Sequence, residues 1–105
     1  MKFLVLAYGA EQNWLALSKA ERDALLAQDE VLRRRGDLVA ALGPATTVTA
    51  WDGHATTAEG PYAATDVPLA GFGVIEADNL EHAISLVEHT PCARAKGHVE
   101  LRPLL

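Results

Sequence analysis

The stretch Gly97-His-Val-Glu-Leu-Arg102 carries three polar side chains that could act together on a small molecule. Its apolar and polar residues alternate, and successive side chains of a β-strand point to opposite faces of the sheet. The pattern therefore predicts a strand with His98, Glu100 and Arg102 on one face. In a partly dry cavity these could serve as a base, its orienting partner and a stabiliser of an anion or enolate. The alternative is that they form salt links at an exposed or dimer-forming edge strand.

Three further residues could contribute to a site. Asp66 lies on a loop just before a Pro-led strand and is a second candidate base, with an ordinary loop acid as the alternative. Tyr8 ends the first apolar run, where its ring could line a pocket mouth or belong to the core with its hydroxyl at the rim. Trp14 follows in a predicted loop, and either covers the core or walls a ligand. We expect Tyr8 and Trp14, with Glu100, to contact a substrate.

The sequence offers no motif for a resident metal or cofactor. It lacks a Gly-rich phosphate loop, a nucleophile elbow and the His-x-x-x-His or Cys-x-x-Cys spacings. The four histidines are scattered, and Cys92, the single cysteine, is expected to be an inert, partly buried thiol. We therefore expect no metal site and a cofactor-independent protein.

Length and composition predict a single domain over residues 1–105. The formal net charge of −5 and the thinly spread basic residues argue against a nucleic-acid partner. No apolar run approaches the ~20 residues that a membrane helix needs. One cysteine fits a reducing compartment, so we expect a cytoplasmic protein.

Ser18 and Glu21 predict where the first helix begins. They have the spacing of a capping box, in which each side chain satisfies the backbone N–H of the other residue. The residues that follow form a largely apolar stripe, including Leu25, Val31 and Leu32, which we expect to be buried, and leave Asp29 on the other side. We expect this helix to lie on a sheet and to end at Gly36.

The remaining elements follow from periodicity and turn signals. Residues 3–8 and 68–76 are predicted as buried strands, 37–50 as a strand bent near Pro44, 56–59 as a short strand, and 80–89 as a second helix. Asp52-Gly53 suggests a type I′ hairpin turn. With the last strand, the order is βαββαβ. This predicts an α+β, ferredoxin-like antiparallel sheet with two helices on one face.

That arrangement leaves the other face of the sheet without a covering element. With half of the residues apolar, this face should meet a partner. A second copy of the chain is the simplest partner, because a twofold homodimer shields both sheets at once.

The order of several short motifs resembles the YCII-related family, in particular its branch named for an Asp-Gly-Pro-Phe motif. The motifs are Lys2-Phe-Leu-Val-Leu-Ala-Tyr-Gly9, Glu59-Gly-Pro-Tyr-Ala-Ala-Thr65, Leu69-Ala-Gly-Phe72, Thr90-Pro-Cys-Ala-Arg94 and Val99-Glu-Leu-Arg-Pro-Leu104. The resemblance covers nearly the whole chain and implies a dimeric α+β barrel. In this family a His-Asp pair has been suggested as catalytic in some members, and one branch is associated with dehydrochlorination of a hydroxylated aromatic. The Asp-Gly-Pro-Phe branch often accompanies sigma-factor genes, which leaves a regulatory role open.

The sequence departs from that motif in its central loop. Glu59 and Tyr62 replace the Asp and Phe, and Ala64 replaces the acid that commonly follows, so that Asp66 is the carboxylate left to take its role. We add Tyr62 to the expected substrate contacts. The resulting hypothesis is a small lyase or isomerase acting on an activated carbonyl or phenolic compound, with Asp66 or His98 as base and Arg102 stabilising negative charge. The alternative is a non-catalytic dimeric module that binds a small molecule or regulates a partner.

Overall fold

A computed structural model describes residues 1–105. The chain forms six strands and four helices in the order β1 (Lys2–Tyr8), α1 (Glu11–Leu15), α2 (Lys19–Arg34), β2 (Leu38–Ala41), β3 (Thr46–Thr49), β4 (Thr56–Glu59), β5 (Leu69–Glu76), α3 (Leu80–Val87), α4 (Pro91–Arg94) and β6 (His98–Pro103). Four of the strands make one antiparallel sheet in the order β2-β5-β1-β6, and β3 pairs only with β4.

The predicted α+β class with an antiparallel sheet is confirmed. The elements β1, α2, β2, β5, α3 and β6 follow one another as the βαββαβ pattern requires. The prediction of one bent strand over 37–50 was wrong, since Gly43-Pro44 separates β2 from β3 and the two strands belong to different sheets. Proline has no backbone N–H to give to a ladder, so the main sheet ends there and a separate hairpin begins.

Local capping signals set the ends of the long helix α2. The Ser18 hydroxyl accepts a hydrogen bond from the Glu21 backbone N–H at 3.1 Å, and the Ser18 N–H donates to Glu21 Oε1 at 3.3 Å, which confirms the capping box. Gly36 follows the helix with φ of +94°, a conformation that side-chain-bearing residues rarely adopt.

Two short helices were not predicted from the sequence. Trp14 lies in α1 and not in a loop. Pro91 does follow the end of α3, but it also begins α4, because proline at a first helical position loses no hydrogen bond and already has a helical φ. Neither helix exceeds five residues, which is too short for side-chain periodicity to reveal it.

The hydrophobic core lies between one face of the sheet and the helices. Phe3 and Ile75 are almost fully buried on neighbouring strands, and they pack with Leu32 of α2 and with Ala83 and Val87 of α3. Only nine of the 105 residues are buried, so this core is small for the length of the chain. Much apolar surface is therefore left outside it.

The opposite face of the sheet, which we call the open face, carries much of that apolar surface. Strand register places Leu6 beside Phe72, and Leu4 beside Val74, while the alternating residues point to the core. Leu38, opposite Val74 on β2, is half exposed. Both long helices pack on the other side, so the expectation of one uncovered sheet face is met.

The β3-β4 hairpin projects from the edge of this layered body. All of its residues except Thr47 are exposed, and the Trp51 side chain near its tip is 97% exposed. The predicted type I′ turn was wrong, because of its two central residues only Gly53 has a positive φ. Asp52 instead accepts a hydrogen bond from the His54 N–H at 3.0 Å, which turns the chain through a longer loop.

Every helix in the chain is too short or too polar to cross a membrane.

Candidate functional site

Four of the residues predicted to form a site lie together on the open face. β6 pairs with β1 so that His98 stands opposite Tyr8, and Arg102 stands opposite Leu4. Between them Glu100 accepts a hydrogen bond from Arg102 Nε at 2.5 Å. This hydrogen bond and the negative charge of Glu100 raise the pKa of the Arg102 guanidinium above its ordinary value. His98 is exposed and forms no hydrogen bond or ion pair within the chain.

The loop that carries the Glu59-Gly-Pro-Tyr62 motif contributes two exposed side chains. Tyr62 is 91% exposed, and Asp66 is exposed without a hydrogen bond or ion pair. The loop is braced locally by Thr65, whose hydroxyl donates to the Val67 carbonyl at 2.6 Å. It leads into β5 at Leu69, the residue paired with Tyr8, so it enters the sheet at the end where Tyr8 and His98 lie.

Trp14 is separated from these residues by the sheet itself. It belongs to α1, and its side chain lines a cavity on the helix side of the sheet. The predicted residues therefore divide into an open-face group and a single aromatic on the opposite side.

That cavity is a partly open pocket between the helices and the sheet. Its volume is about 500 Å³, within the range of about 300 to 1,000 Å³ in which small-molecule sites occur. Helix α2 forms one wall, α1 and α4 close the end, and the sheet forms the floor. Most of its lining is apolar, as in sites that desolvate a ligand and fix it with a few polar groups.

Small residues on two central strands make this space. Ala7 of β1 lies beside Gly71 of β5, and Val5 lies beside Gly73, with all four on the helix side of the sheet. Elsewhere on this face Phe3 and Ile75 fill the gap under the helices. The cavity therefore forms where the sheet carries glycine and alanine in place of large side chains.

Asp29 is the lining residue of this cavity that is best suited to act as an acid or base. Its carboxylate is half buried and makes no hydrogen bond or ion pair with the rest of the chain. Burial raises the pKa of Asp29 above its ordinary value of 3.8, and the positive charge of Arg33 partly opposes that rise. An unpaired carboxylate whose pKa is raised is a stronger base than an ordinary aspartate, so it is suited to take a proton and return it.

The other polar groups of the lining are Glu11, Arg33, Thr90 and Cys92. Arg33 is the only cationic side chain among the lining residues. Burial, and secondarily the negative charge of Asp29, raises the pKa of the Cys92 thiol, which keeps it protonated. A half-buried thiol of this kind agrees with the inert cysteine expected from the sequence.

The sequence interpretation placed Asp29 on the outer side of the helix, and this was wrong. The cavity-facing stripe of α2 runs through Asp29 and Leu32, whereas Val31, expected to be buried, is 47% exposed. The available signal was the spacing of Leu25, Asp29 and Leu32, which puts an acid inside an apolar helical stripe. The predicted apolar stripe is therefore rotated around the helix axis by about one residue position relative to the stripe that faces the sheet in the structure.

The chain holds no cluster of three or more His, Cys, Asp or Glu side chains arranged to bind a metal ion.

The chain is similar to a solved structure and matches one family model. One solved structure, 5-chloro-2-hydroxyhydroquinone dehydrochlorinase from Burkholderia phenoliruptrix in complex with 2,5-dihydroxybenzoquinone, has the same fold with a TM-score of 0.52. The match covers 100% of this chain and 94% of that chain at 18% sequence identity, so it bears on the fold alone. No curated protein matches the sequence. The family model described as the YCII-related domain matches residues 1–105, and the chain therefore belongs to the YCII-related family.

Proposed function

We propose that this protein is a small lyase or isomerase that acts on an activated carbonyl or phenolic compound in the helix-side cavity. The observation that carries the proposal is the unpaired, half-buried carboxylate of Asp29 in a largely apolar cavity of about 500 Å³. Perturbed titratable groups in such cavities are where general acids and bases occur.

In this proposal Asp29 acts as the proton carrier. Its carboxylate removes a proton from an O–H, or from a C–H beside a carbonyl, and the electron pair left behind delocalises as a phenolate or enolate. Arg33, the one cation of the lining, offsets the negative charge. The pair then either collects the same proton at another atom, which is an isomerisation, or expels a leaving group from the neighbouring carbon, which is an elimination.

The family and the fold support this class of chemistry without naming the substrate. The structural neighbour is a dehydrochlorinase whose structure contains a hydroxylated quinone. An elimination of that kind needs a base beside the substrate, and we assign this role to Asp29 in the largely apolar helix-side cavity. We also propose that the protein needs no cofactor and is cytoplasmic.

Replacement of Asp29 tests the assignment. Turnover would be screened with hydroxylated aromatics and β-substituted ketones, and kcat then compared for Asp29→Asn and the wild type. Loss of a general base lowers kcat by about 100-fold or more. Asp23→Asn is the matched control, because Asp23 lies on the same helix but is exposed and pairs with Lys19 at 2.7 Å. Equal kcat in Asp29→Asn and wild type would exclude Asp29 as the base.

The open-face residues support a second candidate site. In this version His98 or Asp66 is the base, Arg102 stabilises negative charge, and Tyr8, Tyr62 and Glu100 contact the substrate, with the sheet of a second copy closing the space. The supporting observation is that four of these residues share one face of the sheet along its β6 edge. The same assay discriminates the two sites, since at least one of His98→Ala and Asp66→Ala should lower turnover if this site is used, and neither should if it is not.

The alternative to catalysis is a binding module. We place the chain in the Asp-Gly-Pro-Phe branch on the strength of Glu59-Gly-Pro-Tyr62, and Ala64 stands where relatives carry an acid. A compound that binds in the cavity and is recovered unchanged, with Asp29→Asn altering affinity but no turnover existing, would favour binding or regulation over catalysis.

We propose a homodimer in which the open faces of two sheets meet. The accessible surface of the single chain is 7344 Å². A folded monomer of this mass exposes only about 5,700 Å². Excess exposure together with a continuous row of apolar side chains on one face is what a chain missing its second copy presents.

A further inference from the structure

Gly71, on the floor of the helix-side cavity, lies beside the register shift between β5 and the end of β1, but neither its φ nor its contacts require glycine. Its φ does not lie in the left-handed region where glycine is favoured. A Cβ built on it would stand 3.4 Å from the Ala7 Cβ and 3.5 Å from the Ala40 carbonyl oxygen, which are ordinary van der Waals separations. Alanine would therefore fit the folded chain at this position.

Other glycines in and beside the sheet differ in this respect. A Cβ on Gly73 would lie 2.7 Å from the Leu38 carbonyl oxygen, and one on Gly97 would collide with the Tyr8 carbonyl oxygen. A Cβ on Gly9 would press on Cys92 Sγ at 3.0 Å. These three are explained by close approach of backbone or side chain, and Gly71 is not.

A glycine in the interior of a strand weakens that strand relative to alanine, because it loses more conformational freedom on folding and packs no side chain. A bound ligand, rather than a packing requirement of the chain, should therefore account for the open space above Gly71. Gly71 and Asp29 line the same cavity, Gly71 from the sheet and Asp29 from α2.

We propose that Gly71 is a specificity-determining residue that lets a planar ring lie flat on the β5 backbone while its polar edge meets Asp29. This inference rests on the proposed function and names its substrate class: a monocyclic hydroxylated ring of the quinone or phenol type. A bare peptide surface accepts the face of a flat ring, whereas a Cβ in its middle lifts the ring and moves its hydroxyl or carbonyl away from the carboxyl group. A puckered saturated ring gains little from a flat floor.

Binding of two probes to a matched pair of variants tests this. The probes are hydroquinone, which is planar, and cis-cyclohexane-1,4-diol, which is puckered; both are neutral at pH 7, where they are titrated calorimetrically. The wild type should bind the planar probe at least about 10-fold more tightly than the saturated diol. Gly71→Ala should weaken the planar probe by about 10-fold or more and change the diol by less than about threefold, the contrast that differential binding of one ring class requires.

Gly43→Ala is the control, because Gly43 lies outside the cavity, has no positive φ and would carry a Cβ with nothing within 4 Å. It should leave both affinities unchanged. Thermal melts of the two variants should show Gly71→Ala at least as stable as the wild type, as for Gly43→Ala, since glycine-to-alanine changes at compatible positions restrict the unfolded chain.

Three results would overturn the inference. One is unchanged affinity of Gly71→Ala for the planar probe, which leaves the role of Asp29 intact if Asp29→Asn has lost turnover. Another is a melting temperature of Gly71→Ala well below that of Gly43→Ala, which makes the glycine a packing requirement. The third is a wild type that binds neither probe. Conversely, a selective loss in Gly71→Ala with full turnover in Asp29→Asn would retain the flat-ring site and remove the proposed catalysis.

Discussion

A charge placed at the centre of the open face should dissociate the proposed dimer. Val74 of β5 faces away from the core, with Leu4 and Leu38 as its cross-strand neighbours, so Val74→Asp puts a carboxylate among apolar side chains. In a single chain this carboxylate remains in contact with water. In a twofold dimer of open faces it is desolvated, and the symmetry operation buries it twice.

The structure allows the size of the effect to be estimated. The excess exposed surface is about 1,600 Å² relative to a typical monomer of this mass. If only half of it belongs to the open face, two copies bury about 1,600 Å² together, which is a standard stable interface. Desolvating a polar group without a partner costs about 2 kcal/mol. Two such groups add about 4 kcal/mol, and the dissociation constant rises about a thousandfold.

Light scattering coupled to size-exclusion chromatography measures this directly. We expect twice the chain mass of 11.2 kDa for the wild type at micromolar concentration and the single chain mass for Val74→Asp. Val31→Asp is the matched control, since Val31 is 47% exposed on α2, on the far side of the sheet. Far-ultraviolet circular dichroism should show that all three proteins are folded. A monomeric wild type, or a Val74→Asp protein that stays dimeric, would refute the reasoning.

Three other predictions follow from the cavity and the helix cap. Because burial raises the pKa of Asp29 in the folded chain, the folded state loses stability as pH rises from about 3.8, its ordinary value, through the raised value. Asp29→Asn should therefore stabilise the protein at pH 7 by up to about 1 kcal/mol, a limit set by water screening of a half-exposed group. The gain should vanish below pH 3.8 in urea titrations, and an equal gain at both pH values would exclude a charge effect. Cys92 should react with iodoacetamide more slowly than free cysteine at pH 7.5. Asp29→Asn should speed that reaction, because it removes a negative charge that raises the pKa of the thiol. Equal rates in the wild type and Asp29→Asn would contradict an effect of the Asp29 charge on Cys92. Ser18→Ala should lower the free energy of unfolding by about 1 kcal/mol through loss of the cap, whereas Ser85→Ala, whose hydroxyl only back-bonds to the His82 carbonyl on an exposed helix face, should have little effect.

Features encoded by neighbouring residues could be predicted from the sequence. The Ser18 and Glu21 pair defined the start of α2, and the alternation from His98 to Arg102 defined β6 and its polar face, because both depend on separations of two or three residues. The family could also be identified, since its motifs extend along the whole chain. The break at Gly43-Pro44 was recognised, but not its consequence.

Features that depend on distant segments could not be predicted in this way. Whether the chain after Pro44 continues in the main sheet or forms a hairpin is decided by which strand pairs with β5, and β2 already occupies that edge. Likewise, periodicity gives the angular width of a helix face but only loosely its direction, so Asp29 and Val31 were exchanged between the inner and outer sides.

By itself, then, the sequence determined the α+β class, the family and the local geometry of the chain, because those properties arise from short-range sterics and hydrogen bonding. Only the tertiary structure decided where the cavity lies. It forms where Ala7 and Gly71, far apart in the chain, become neighbours on adjacent strands and leave a gap beneath α2. The rotation of α2 on the sheet then turns Asp29 into that gap. Both outcomes depend on packing between layers, which is a property of the assembled chain and of no segment alone.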